Sequence, residues 1–128
     1  YCQWIFGLPL KVNSLKRSVS SLKIDSIDFS KYSLIYDNYT INVTLNYYRK
    51  HSKREIELIS KDETIVIDLL NNSVYSFKEE RFLFKKKFNI QDTYNKQMEY
   101  FVDKINKNEN LMNCFDEGIE TLKIALNE

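Results

Sequence analysis

The chain has 128 residues, and its 19 Lys and Arg against 18 Asp and Glu leave a formal net charge of +1. That length is one domain's worth and can bury roughly two-thirds of its unfolded surface, so a core needs no disulfide or metal staple. The charge balance excludes a global drive onto nucleic acid or an anionic membrane, and an apolar share of 43% excludes a disordered chain.

The chain opens with Tyr1-Cys2-Gln3-Trp4-Ile5-Phe6-Gly7 and Pro9. A glycine just past an apolar turn, with proline two residues on, marks a helix end. Six residues without an N-cap make no helix start, so the chain is expected to begin inside a helix whose upstream part is missing. From Leu10 to about Asn89 the pattern is strand-like, first at Leu10–Leu15 and onward and next at Tyr32–Tyr36. Ile41, Val43, Leu45 and Tyr47 alternate with Asn42, Thr44, Asn46 and Tyr48, the clearest period of two in the chain. Arg54–Ile59 and Thr64–Leu69 flank the short turn Lys61-Asp62-Glu63 and predict an antiparallel hairpin. Asn71-Asn72 turns the chain into Val74–Phe77, and Phe82-Leu83-Phe84 adds a last short strand.

After Asn89 the period becomes helical. Ile90, Tyr94, Met98, Phe101, Val102 and Ile105 share one face, with Asn89 or Asp92 as cap. Asn106–Asn110 is a polar break. Asn113 with Asp116 resembles a capping arrangement, followed by a final helix carrying Ile119, Leu122, Ile124 and Leu126. Strands first and helices after predict an α+β domain over residues 1–128: a predominantly antiparallel, open-faced sheet with two C-terminal helices packed on one face.

Few residues offer chemistry. Cys2 and Cys114 are far apart and make neither a disulfide framework nor a metal motif, which points to a reduced, cytoplasmic setting. No apolar run approaches the ~20 residues of a membrane span, and no secretory signal is expected. The glycosylation-type triplets at Asn38, Asn42 and Asn71 are chance matches in an Asn-rich chain. His51, the one histidine, sits among Arg49, Lys50, Lys53 and Arg54 in the loop before a strand. It reads either as part of a solvated basic turn or as a contact to an anion or sugar hydroxyl. It has no second histidine or spaced carboxylates for a metal and no carboxylate to orient it as a base. Lys85-Lys86-Lys87 reads as a solvated strand edge, where lysines also discourage sheet aggregation, and not as a nucleic-acid site. Tyr94, in the first turn of the long helix, either packs in the core or projects its hydroxyl past the helix end. No nucleophile is paired with a base, and no dinucleotide glycine fingerprint occurs.

Several strings are similar to the C-terminal domain of the Gfo/Idh/MocA oxidoreductases, the glucose–fructose oxidoreductase and inositol dehydrogenase family, and together they cover nearly the whole chain. Trp4-Ile5-Phe6-Gly7-Leu8-Pro9 resembles the family's W-L-F-G-x-P. Leu45-Asn46-Tyr47-Tyr48-Arg49, then Arg54–Ile59 and Thr64-Ile65, resemble its central strand, loop and hairpin; Ser60 and Glu63 depart from the usual glycine turn. Tyr94–Phe101 resembles Y-x-x-E-M-x-x-F, with Gln97 for the usual Glu. Glu117–Ala125 resembles E-G-L-x-x-L-x-I-A.

The resemblance implies an NAD- or NADP-dependent dehydrogenase of a sugar, nucleotide sugar or polyol. The family's Rossmann domain and catalytic lysine would precede Tyr1, as would its active-site Asp and His. No catalytic residue and no bound dinucleotide are then expected in residues 1–128, and the isolated chain is expected to be inactive. Substrate contacts are expected at Tyr94, Arg49, His51 and Arg54. The open sheet face, with Thr44, Asn46, Tyr48 and Glu57, is expected to form a homodimer or tetramer. The competing expectation is a non-catalytic α+β ligand-binding module; a nucleic-acid module using the basic clusters is weaker still.

Overall fold

The computed structural model describes residues 1–112 and 114–126. It is α+β, with two antiparallel sheets and two C-terminal helices. A short helix α1 (Cys2–Phe6) leads to β1 (Lys11–Arg17), β2 (Phe29–Ile35) and β3 (Thr40–Asn46), which form one sheet in that order. The second sheet holds β4 (Glu55–Ile59), β5 (Thr64–Asp68), β6 (Ser73–Ser76) and β7 (Arg81–Lys85), also in chain order. Helices α2 (Ile90–Lys107) and α3 (Phe115–Leu126) follow. Every expected strand is present, but the strands divide between two sheets rather than lining up in one. The break falls at the basic stretch 47–54, which carries no strand. Two units result: residues 1–50 with 112–128, and residues 51–111.

The first unit has a small core on its central strand. Tyr32, Leu34 and Tyr36 are buried, packed with Cys2, Phe6, Val12, Ile41, Val43 and Ile124. Registers of Val12 with Leu34 and of Leu34 with Ile41 put these apolar residues on one face. The buried tyrosine hydroxyls are satisfied: Tyr32 donates to the Ala125 carbonyl at 3.1 Å and Tyr36 to the Gly7 carbonyl at 3.0 Å. Burial raises the Tyr36 phenol above its ordinary value, with the neighbouring Tyr39 adding to the shift. Gly7 ends α1 at φ 76°, its N–H bonded to the Gln3 carbonyl at 2.8 Å. No atom would crowd a Cβ at that position, so Gly7→Ala is expected to cost about 1–2 kcal/mol through backbone strain alone, measurable by urea denaturation.

The loop between β1 and β2 is held by its own last residue. Asp28 is buried, and its carboxylate accepts from the Val19 and Ser20 N–H groups, each at 2.9 Å, and from the Ser20 hydroxyl. The Ser20 hydroxyl first, then the Val19 N–H, hold its pKa below the ordinary carboxylate value of 3.8. A lowered folded pKa stabilises the fold above the unfolded value and loses that contribution as pH falls through the folded one. Asp28→Asn should therefore flatten the acid limb of a pH-dependent melt below about pH 4, while lowering the melting temperature at pH 7.

In the second unit the β4–β5 turn runs Ser60–Glu63 and has no left-handed residue, so the glycine usual in the resembling family is not needed. The Ser60 hydroxyl accepts from the Glu63 N–H at 3.1 Å and donates to the Glu63 carbonyl at 3.0 Å. The Glu63 carboxylate crosses to the next turn, accepting from the Ser76 hydroxyl at 3.0 Å and the Lys78 N–H at 3.2 Å. A bulge between Val74 and Tyr75 shifts the β6–β7 register by one residue, pairing Tyr75 with Phe82 but Ser73 with Lys85.

Helix α2 is capped by Asn89, whose side chain accepts from the Gln91 N–H at 3.1 Å, and it ends at Asn108 in the left-handed conformation. The expected apolar face of α2 is there, but all six of its residues are exposed. The cap expected at Asn113 lies outside the described residues. One residue on, the Glu117 carboxylate accepts from the Cys114 N–H at 3.0 Å, the reach-back half of a capping box.

Candidate functional site

The four expected substrate contacts are divided between the two units. Arg49 belongs to the first unit, while His51, Arg54 and Tyr94 belong to the second. The loop begins with an Asn turn: the Asn46 side chain accepts from the Arg49 N–H at 3.1 Å. Arg54 extends the β4–β5 ladder by one rung, its carbonyl accepting from the Leu69 N–H at 2.9 Å. Beside it Lys53 pairs with Glu55 at 2.6 Å. His51 is exposed in a bend.

Tyr94 is 60% exposed. With Asn89 as the cap, it is the fifth helical residue and lies in the second turn of α2, not the first. An exposed phenol can donate and accept a hydrogen bond, which suits a sugar hydroxyl. Among the described residues no ion pair or side-chain hydrogen bond ties Tyr94 to His51 or Arg54.

The expected interface residues also divide. Thr44 and Asn46 lie on β3, with Tyr48 just beyond it, and Glu57 lies on β4 of the other sheet. The Asn46 side chain is used in its own turn. Thr44 shares its face with Lys31, its register partner, and with Asn42 and Ser33, which are joined by a 2.9 Å hydrogen bond. Lys85 to Lys87 sit at the edge strand β7, as their reading as a strand edge requires.

One feature escaped the sequence reading. In the first unit an open recess of about 390 Å³ lies between the α1–β1 link and α3, lined by Leu8, Leu10, Lys11 and Val12 opposite Glu120 and Ile124. Glu120 accepts an ion pair from Lys123 at 2.7 Å on its rim. Its lining comes from segments over a hundred residues apart, and no local motif announces such a meeting.

A dinucleotide cradle requires strand, glycine turn and helix N-terminus in succession. Gly7 follows a helix and precedes a strand, and Gly118 lies inside α3, so neither fits NAD or NADP. No cluster of three or more His, Cys, Asp or Glu suited to a metal ion occurs among the described residues, and no described helix is long and apolar enough to cross a membrane. No protein-family model matches the chain, and no curated protein or solved structure matches it.

Proposed function

We propose that residues 1–128 are the substrate-side and oligomerising domain of a cytoplasmic NAD(P)-dependent oxidoreductase acting on a sugar, nucleotide sugar or polyol. The observation that carries this reading is the order and spacing of the resembling strings along an α+β chain. The Trp4–Pro9 string ends a helix at Gly7, Arg54–Thr64 spans a hairpin, Tyr94–Phe101 rides on α2, and Glu117–Ala125 forms α3. The dinucleotide and the proton-transferring residues would lie upstream of Tyr1, where hydride passes between substrate carbon and nicotinamide. In this chain Tyr94 would hydrogen-bond the substrate, and Arg49, His51 or Arg54 would meet its hydroxyls or an anionic group.

The test has two parts. Calorimetric titration of the 128-residue chain with NADH and NADPH is expected to show no binding; measurable affinity would overturn the domain assignment. The gene product that includes upstream sequence is expected to reduce NAD or NADP with a sugar-type alcohol. There Tyr94→Phe should raise KM by about three- to tenfold, the worth of one hydrogen bond. A start codon directly before Tyr1 would sink the reading in favour of a free-standing binding module.

A further inference from the structure

We propose that the open recess between the α1–β1 link and α3 binds a saturated aliphatic carboxylate of about six to ten carbons, its chain on the apolar wall and its carboxylate on Lys11. This ligand is distinct from the sugar-type substrate, and the inference does not rest on the oxidoreductase reading.

The lining selects the chemistry of the ligand. Its apolar wall is Leu8, Pro9, Leu10, Val12 and Ile124, all aliphatic. Among the described residues no aromatic ring lines the recess, so a nucleobase or sugar ring has nothing to stack on. No hydroxyl, amide or imidazole side chain among them lines it either, so the several hydrogen bonds of a polyol go unmade. A run of methylenes with a charge at one end fits such a surface. The charge is negative. Glu120 is already paired with Lys123 at 2.7 Å, whereas Lys11 makes no ion pair among the described residues. The recess volume of about 390 Å³ lies within the range of small-molecule sites, which combine apolar walls with a few polar groups.

Both walls are held in place before a ligand arrives. The Tyr36 hydroxyl donates to the Gly7 carbonyl at 3.0 Å and the Leu10 N–H donates to the Ile35 carbonyl at 2.8 Å, tying the link to the end of β2 at two points. Between those points Pro9 has a φ locked by its ring. Opposite, the Tyr32 hydroxyl donates to the Ala125 carbonyl at 3.1 Å, which ties α3 to the same strand. The Thr121 hydroxyl of α3 also donates to the Gln3 side chain of α1. Walls fixed in this way leave a ligand little protein to order on binding. Leu8 and Leu10 remain 61% and 70% exposed, and that is apolar surface which an aliphatic chain removes from water.

Calorimetric titration and amide NMR of the 128-residue chain test this, with circular dichroism confirming that each variant keeps its sheets. Octanoate, below its micelle concentration, is expected to bind as a single molecule with a Kd below about 1 mM. It should shift the amide signals of residues 7–12 and 120–124. Hexanoate should bind more weakly, by about two- to fourfold for each methylene lost. Octylamine and 1-octanol should each bind about fivefold more weakly than octanoate. Lys11→Gln should raise Kd for octanoate about fivefold and leave that for 1-octanol unchanged; if it fails to fold, Lys11→Met serves in its place. Leu10→Ser should weaken both ligands. No binding at millimolar octanoate, octylamine held as tightly as octanoate, affinity indifferent to chain length, or shifts centred on α2 or the four-stranded sheet overturns the inference. None of these outcomes touches the oxidoreductase reading, which the NAD(P) assays decide separately.

Discussion

Leu34→Ala is expected to lower the stability of the fold by about 2–5 kcal/mol, seen as a fall in the urea midpoint at unchanged slope. Leu34 is 4% exposed on the central strand of the three-stranded sheet, flanked in register by Val12 and Ile41. The cost has two parts: the transfer free energy of the deleted carbons and the cavity left behind. Neighbours fixed by hydrogen bonds resist collapse, and here Tyr32 and Tyr36 are each tied through their hydroxyls to backbone carbonyls. With a typical domain stability of about 5–15 kcal/mol, one truncation removes a large fraction. Leu34→Met, which conserves volume, should cost less than about 1.5 kcal/mol. A Leu34→Ala chain as stable as the parent would mean that this cluster does not hold the unit together.

Ser76→Val is expected to cost about 2–4 kcal/mol, read by thermal melting. Ser76 is wholly buried, its hydroxyl donating to the Glu63 carboxylate at 3.0 Å and accepting from the Glu79 N–H at 2.9 Å. Valine serves neither group, leaving a carboxylate oxygen and an amide each one partner short, and it adds a methyl to a wholly buried site. The mechanism has its own signature in a double-mutant cycle. Once Glu63→Ala has removed the acceptor, Ser76→Val should cost measurably less than it does alone. Strict additivity of the two substitutions would show that the two turns are not coupled through this bond.

What the sequence revealed depended on the range of the forces involved. Strands and helices follow local periodicity, and the alternation of Ile41 and Val43 with Asn42 and Thr44 marks β3 because adjacent side chains point to opposite faces. Of the caps, Asn89 was legible; at the second helix the Glu117 carboxylate accepts from the Cys114 N–H, and the expected Asn113–Asp116 pairing lies outside the described residues. The division into two sheets was not legible, because pairing of β3 with β4 depends on a basic stretch whose path no periodicity encodes. The exposure of the α2 face escaped for the same reason, since an amphipathic pattern says that a face is apolar and not what covers it. The role of Glu63 was hidden too. Read locally it is a departure from a glycine turn; in the fold it reaches thirteen residues along the chain to Ser76. Of the candidate site, Tyr94 sits on the expected helix. The spread of Arg49, His51 and Arg54 over two units is a tertiary fact that sequence spacing cannot convey.

Both sheets are meanders, each strand pairing with its neighbours in the chain. This orders events during synthesis. A nascent chain closes each ladder over short loops, at little entropic cost, soon after the second strand of each pair leaves the ribosome. The core on β2 cannot be completed on that schedule. The partner of Tyr32 is the Ala125 carbonyl, 93 residues later, and Ile124 of the same helix packs on the same cluster. The first sheet to emerge therefore waits, one face uncovered, while the whole second unit is translated.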